Sequence, residues 1–363
     1  MRAFVDILRA ADSLSFEQQQ SARLATVVHV EGSTYARAGC RLLCASGEPI
    51  AGYISGGCLE RDLARRSQLI HEPTVVTYDT RPGGEAEEFN LGCDGVIHLL
   101  VEPLVSTHDA LAPLRSVVQQ RVTVDGAIVF RGPEVGGRLE IDPHLDEPWQ
   151  REARAMLETG NGVVVEGDRA IFVERLTPMA RLVVLGAGHD AGPLVSVALA
   201  AGFEVHVVDP NPRRTAGEAA GWFDGATVEC RDFKEAIEAM RFDEQTAAVL
   251  MTHDQSADAL ALPPLLQSGA LYVGLLGPKR RTARLMTELH TAGVRFPADQ
   301  LEKLHTPVGL DLGGGSPEDI AVSIVAEIIA TRNGRQGGKL SGRMAPIHDE
   351  MSVVRVVPAP VQS

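Results

Sequence analysis

Gly186-Ala187-Gly188-His189-Asp190-Ala191 form a G-x-G-x-x-A run that follows an apolar segment and opens a helical one. Bare backbone at the first two glycines can turn sharply and approach a pyrophosphate. The helix N-terminus adds amide donors and the positive end of its dipole. Asp209 closes the next apolar segment, where a carboxylate can accept hydrogen bonds from ribose hydroxyls. The same residues also suit a fold whose glycines only permit tight helix packing. Nucleotide binding is the favoured expectation, with the nucleotide's identity open. Cofactor-binding candidates here are Gly186, Gly188, His189 and Asp209.

Further along, MTHDQSAD places His253, Asp254 and Asp258 just after an apolar strand. Open α/β sheets bind ligands at that edge, so His253 is a candidate for proton transfer, against the equal expectation that these residues only cap a helix. Gly277-Pro278-Lys279-Arg280-Arg281 follows the next strand and is the best anion site of this half, with Lys279 and Arg280 as cofactor-binding candidates. Arg213 and Arg214, beyond Asp209, fit a phosphate contact or a solvated loop.

A different chemistry is written in Ser55-Gly56-Gly57-Cys58-Leu59-Glu60. Its glycines predict a tight loop with free amides, and Cys58 falls at a helix N-terminus, where a thiolate is stabilised. Cys58 is therefore a candidate nucleophile, sulfur carrier or metal ligand, and Ser55, Gly56 and Gly57 are candidate contacts to a bound group. Cys93, in Leu91-Gly92-Cys93-Asp94-Gly95, is the candidate second thiol and could share a soft metal with Cys58. Cys40, Cys44 and Cys230 read as small buried residues. Arg37, at the end of the hydroxyl-bearing turn Glu31-Gly32-Ser33-Thr34-Tyr35-Ala36, is a further phosphate-contact candidate. There is no C-x-x-C pair, G-x-S-x-G elbow, H-E-x-x-H pair or Walker loop, which argues against a structural zinc and the common hydrolase and NTPase classes.

These motifs need two kinds of scaffold. From Arg181 onward RLVVLG, EVHVVD, ATVEC, AAVLMT and LYVGLL alternate with helical segments, the pattern of an open parallel sheet. Ser316 caps the last long helix, Pro317 takes its first position and Asp319 completes a capping box. Upstream, Phe4, Ile7, Leu8 and Ala11 mark a helix, RLATVVHVEGST a strand, RLLCAS and PIAGYIS a hairpin about Gly47-Glu48, and CLERDLARRSQLI an amphipathic helix. The expected class is α/β, a C-terminal Rossmann-type parallel sheet with a separate N-terminal α+β domain. Expected boundaries are 1–105 for the N-terminal domain, 106–178 for a connecting region, 179–332 for the Rossmann-type domain and 333–363 for a flexible tail.

The chain has 363 residues, with 34 Lys and Arg against 48 Asp and Glu, a net charge of −14. That balance disfavours a general nucleic-acid binder. Lacking a long apolar span, a leader-like start or a disulfide framework, the chain is expected to be cytoplasmic, with no membrane or nucleic-acid partner. A homodimer is the expected assembly.

Taken in order, EGSTYARAGCRLL, GYISGGCLE, LGCDGVIHLLVEPL, LVVLGAGHDA, VVDPNPRR, MTHDQSAD, YVGLLGPKRR and PVGLDLGGGSPEDIAVSIVAEI resemble the XdhC accessory proteins of molybdenum hydroxylases such as xanthine dehydrogenase. Two positions depart from that pattern: Tyr35-Ala36 stands where the family has Pro before the Arg, and Pro278 where Ser is common. The resemblance implies a chaperone that binds and protects molybdenum cofactor, supports its sulfuration by a cysteine desulfurase and delivers it to an apoenzyme. The cargo would be molybdopterin or its cytosine dinucleotide. Local cations must then outweigh the acidic total, aided by screening beyond about 10 Å at 0.1 M salt. The competing assignments are an NAD(P)-dependent oxidoreductase, with NAD(P) on Gly186, Gly188 and Asp209 and His253 as the proton-transfer residue, and a scaffold without ligand.

Overall fold

The computed structural model describes residues 2–32, 34, 36–55, 57–86, 95–105, 109–342 and 353–357. The chain divides into two compact units, Met1–Pro178 with Arg343–Ser363, and Met179–Gly342. No helix among the described residues is long and apolar enough to cross a membrane.

The first unit opens with α1 (Arg2–Ser13), α2 (Phe16–Ser21), β1 (Arg23–Gly32), β2 (Arg41–Ala45), β3 (Glu48–Gly52), α3 (Cys58–Ser67), β4 (Thr74–Asp79) and β5 (Gly95–Pro103). Its first sheet has the order β3-β2-β1-β5-β4 and is antiparallel throughout. Ser46 and Gly47, both at positive φ (53° and 81°), make the two-residue turn that joins β2 to β3 with the twist the flanking strands require. Leu59, Leu63 and Ala64 of α3 pack on Val27, Leu42, Ile97 and Leu99 of this sheet.

Residues beyond 105 do more than connect. They form α4 (Ala112–Gln119), β6 (Val124–Arg131), β7 (Arg138–Leu139), α5 (Pro148–Leu157), β8 (Gly162–Glu166) and β9 (Arg169–Leu176), and β6 to β9 belong to a sheet of their own. Ile128, Phe130, Val163 and Phe172 of this second sheet pack against Val28 and Leu100 of the first, so one unit holds both.

The second unit runs β10 (Arg181–Leu185), α6 (Ala191–Ala200), β11 (Glu204–Val208), α7 (Pro212–Thr215), β12 (Thr227–Glu229), α8 (Phe233–Ala239), β13 (Thr246–Leu250), α9 (Gln255–Gln267), β14 (Tyr272–Leu275), α10 (Lys279–Thr291), α11 (Ala298–Glu302), β15 (Leu304–His305) and α12 (Pro317–Arg332). All six strands are parallel, in the order β12-β11-β10-β13-β14-β15. This is the doubly wound order in which the chain reverses direction between β10 and β13, opening a crevice at their carboxyl ends. β10 and β13 are buried along their whole length because helices cover both faces. The capping box of α12 is present: the Ser316 hydroxyl accepts the Asp319 amide at 3.1 Å, and the Asp319 carboxylate receives the Ser316 amide at 3.2 Å.

One expectation changes at the C-terminus. Val353–Val356 form β16, which pairs in parallel with β8 and gives the second sheet the order β16-β8-β9-β6-β7. The segment therefore returns to the first unit, with Val357 buried beside Trp149 and Met156 of α5. A four-residue strand whose partner lies almost two hundred positions earlier leaves little local signal.

Candidate functional site

The glycine loop of the second unit is shaped by backbone contact. Gly186 sits at φ +112°, and a Cβ there would lie 2.5 Å from the Met251 carbonyl oxygen and 3.0 Å from the Thr252 nitrogen. Only glycine lets the end of β10 pass this close to the end of β13. Gly186 donates to the Val208 carbonyl, and Ala191 returns a hydrogen bond to Gly188 as α6 begins. The Gly188 and His189 amides make no hydrogen bond among the described residues, so two donors stand at the start of α6.

Asp209 is 2% exposed and faces this loop. Its Oδ2 accepts the Ala187 amide at 2.8 Å and an Arg214 guanidinium nitrogen at 3.3 Å, while Oδ1 accepts the Asn211 amide at 2.8 Å. The carboxylate thus locks the loop to the end of β11. Arg214, half-exposed, is held by this contact and braces the carboxylate, a role apart from the phosphate contact and the solvated loop that its sequence position suggests.

His253 follows β13 at φ +56°, a left-handed conformation that a non-glycine residue adopts at a cost. Its Nε2 lies 2.8 Å from an Asp190 carboxylate oxygen, and its ring approaches the position a Gly188 Cβ would take. A His and Asp couple therefore stands over the glycine loop, one member from each side of the crevice. His189 is exposed and its ring sits 4.1 Å from that of Trp222, an aromatic that no motif in the sequence singles out.

The cations after β14 separate into two roles. Arg281 donates to Asp258 at 2.6 Å, and Asp258, 1% exposed, also accepts the Thr252 hydroxyl at 2.6 Å. That pair ties α10 to α9. Lys279 and Arg280 are exposed in the first turn of α10, at the same sheet edge as the glycine loop. Asp254 caps α9 by accepting the Ser256 and Ala257 amides.

In the first unit the loop before α3 departs from the expectation of free amides. Glu60, three positions into the helix register and 5% exposed, accepts the Ile54 amide at 3.0 Å, the Gly57 amide at 2.8 Å, the Ser55 hydroxyl at 2.7 Å and the Ser55 amide. The protein's own carboxylate fills the anion site that the Ser55 and Gly57 amides offer. Burial would raise the Glu60 pKa, but the donors from Ser55 and Ile54 outweigh it and hold the group below its ordinary value. Gly57, at φ +114°, supplies the left-handed turn into the helix.

Cys58 is the first residue of α3, while its side chain, Gly56 and Cys93 lie outside the described residues. Arg37 is exposed, and its side chain makes no hydrogen bond or ion pair among the described residues. Cys44 is buried, and burial with the nearby Glu60 charge pushes its thiol up to about 12. Cys230 is exposed, correcting the expectation of burial, because it follows the short edge strand β12. No group of three or more His, Cys, Asp or Glu side chains is placed to hold a metal ion among the described residues.

Comparison with known proteins agrees with this division. Residues 182–328 match the XdhC Rossmann domain, and residues 15–79 match the XdhC and CoxI family. A Bacillus subtilis protein named as a probable subunit of xanthine dehydrogenase is 31% identical over 327 residues, 87% of this chain and 94% of the relative. The molybdenum cofactor insertion chaperone PaoD of Escherichia coli is 24% identical over 315 residues, 86% of this chain and 84% of that protein. A crystal structure described as a xanthine dehydrogenase from Bacillus halodurans superposes with a TM-score of 0.66 at 26% identity, over 94% of this chain and 98% of the other.

Proposed function

The chain belongs to the XdhC and CoxI family, and we propose that it is an accessory protein that binds and protects the molybdenum cofactor, supports its sulfuration by a cysteine desulfurase and inserts it into a molybdenum hydroxylase. The cofactor is cargo, a metal-bearing pterin that ends in a phosphate or a cytosine nucleotide.

The observation that carries this proposal is the glycine loop, with the Gly188 and His189 amides at the start of α6 and His253 beside them. Such donors suit a phosphate or pyrophosphate, and the exposed Lys279 and Arg280 on the same edge supply the positive field. Asp190 sets a condition on entry. Its carboxylate shares the space over Gly188, so an arriving phosphate takes over the His253 hydrogen bond and turns Asp190 outward. Cys58, at the first position of α3, is assigned as the thiol that meets the metal end, with Cys93 as its partner. Glu60 fixes the loop that presents it. An NAD(P)-dependent oxidoreductase is less well supported, because Asp209 already receives three protein donors where a ribose diol would bind. We assign the protein to the cytoplasm and to a homodimer.

The test is co-expression with an active molybdenum-cofactor pathway, followed by purification and assay of the released pterin as its fluorescent oxidised derivative. Near-stoichiometric pterin in the wild type, lowered in Cys58→Ala, is the expected result. No pterin under conditions that load a client enzyme, together with steady turnover of a nicotinamide cofactor, would replace the carrier with the oxidoreductase.

A further inference from the structure

Beside the glycine loop of the second unit stands an aromatic pair, His189 and Trp222, whose rings take no part in the cofactor chemistry proposed above. Trp222 lies in the 3-10 helix Gly217–Phe223, between α7 and β12, and is 41% exposed. Its neighbour Phe223 is 1% exposed and shares a core with Ala191, Leu194 and Val195 of α6, which pins the segment to that helix.

Apolar side chains exposed singly are ordinary surface, and Trp222 would be one of them but for where it is held. A Cβ added to Gly192, in the first turn of α6, would lie 3.4 Å from the Trp222 Cβ, and the His189 ring sits 4.1 Å from the indole ring at an interplanar angle of 37°. Trp222 therefore flanks the start of α6 from Gly192 back to His189, whose own amide is one of the two open donors of the loop. An aromatic surface fixed beside an anion position suits a ligand that carries a flat ring one sugar away from its phosphates. Stacking of a base on an aromatic side chain tolerates any base, since every base has a π-face, and contributes roughly five- to a hundredfold in affinity. The sugar would pass unread, because Asp209, placed to accept ribose hydroxyls, is already met by Ala187, Asn211 and Arg214.

We propose that Trp222 is the ring-stacking residue of this site and that the ligand is a nucleoside diphosphate, or a larger molecule ending in one, with its phosphates on the Gly188 and His189 amides and its base on the exposed part of the indole. The inference rests on the glycine loop as an anion site and adds the group that is recognised beyond the phosphates.

Isothermal titration of the full-length protein with cytidine diphosphate and with pyrophosphate, in the wild type, Trp222→Leu and Trp222→Phe, tests it. The wild type should bind cytidine diphosphate about fivefold or more tightly than pyrophosphate. Trp222→Leu, a change at an exposed position that leaves Phe223 in the core, should unfold at the wild-type temperature, lose that advantage and keep its affinity for pyrophosphate. Trp222→Phe, which keeps an aromatic face, should retain most of the advantage. Absence of pyrophosphate binding in the folded wild type would overturn the anion site itself and this proposal with it. Pyrophosphate binding with no gain for cytidine diphosphate, a gain that survives Trp222→Leu, or loss of both ligands together in that variant would overturn the stacking role alone and leave the anion site standing.

Discussion

The Glu60 carboxylate accepts the Ser55 hydroxyl at 2.7 Å and receives the Ser55 amide as well, so a side chain of α3 holds the very loop that leads into it. Every donor in this set points at an ionised oxygen, and hydrogen bonds to charged acceptors are the stronger kind.

Replacing Glu60 with Gln keeps the shape and reverses one partner. Whichever way the amide is turned, an NH2 group faces a backbone N–H, and at least one buried donor loses its acceptor. We expect Glu60→Gln to destabilise the first unit by about 2 to 4 kcal/mol and Ser55→Ala by about 1 kcal/mol. Urea unfolding followed by the fluorescence of Trp149, which lies in that unit, reads the difference. Equal costs for the two substitutions would show that the carboxylate adds nothing beyond the hydroxyl contact.

His29 makes the first unit sensitive to acid. Burial lowers its pKa, and His98, whose ring stacks on it at 5.5 Å, and Arg131 push the same way, against Glu31. A histidine whose folded pKa lies below its unfolded value near 6.5 binds its proton more readily when unfolded. Its contribution to stability is present above about pH 6.5 and is lost as the pH falls through the folded value. The urea midpoint of the first unit should therefore drop between pH 7.5 and pH 5, and His29→Gln should flatten that part of the profile. The His29 Cε1 proton resonance should titrate with a midpoint below 6.5. A midpoint at or above the ordinary value would remove this account of acid sensitivity.

Much of the second unit was legible from residue pattern alone, and the reason is local. β10 and β13 are apolar at every position because both faces are covered, and the Ser316 and Asp319 capping box needs only three residues of spacing. What escaped notice depends on reach across the fold. β15 is two residues long, and β16 finds β8 from the far end of the chain. The loop before α3 looked open because its glycines were visible, whereas the carboxylate that fills it is a long side chain whose direction spacing does not report. Asp209 directly follows the last residue of β11, a position the apolar run marks, but its partners Ala187 and Arg214 come from two separate segments.

The two glycines of the nucleotide-type loop should behave differently when each gains a methyl group. In Gly186→Ala the new Cβ meets fixed backbone at 2.5 Å from the left-handed side of φ space, a loss of roughly 3 to 5 kcal/mol. In Gly188→Ala the nearest atom is an Asp190 carboxylate oxygen at 2.6 Å, the far end of a movable side chain. That protein should fold with a cost near 1 kcal/mol yet bind pyrophosphate at least tenfold more weakly, because the methyl group stands where the anion would approach. Thermal unfolding paired with isothermal titration separates the outcomes. A Gly188→Ala protein that folds and binds pyrophosphate as the wild type does would reduce the loop to packing.

Asp190 and His253 allow the sign of the loop's charge to be changed without touching its backbone. At a distance of about 5 Å and an effective dielectric constant between 20 and 80, one carboxylate opposes an anion by roughly 1 to 3 kcal/mol. Asp190→Asn should accordingly tighten pyrophosphate binding by about tenfold, and His253→Ala should weaken it, since the imidazole is the hydrogen-bond partner the phosphate inherits. A background carrying Trp149→Phe leaves Trp222 as the only tryptophan, and its ring rests on His189 beside the loop. Its fluorescence then reports occupancy of the loop directly and sets the two affinities on one scale. If Asp190→Asn leaves the pyrophosphate affinity unchanged, the carboxylate is turned away before binding begins and the His253 couple does not gate the site.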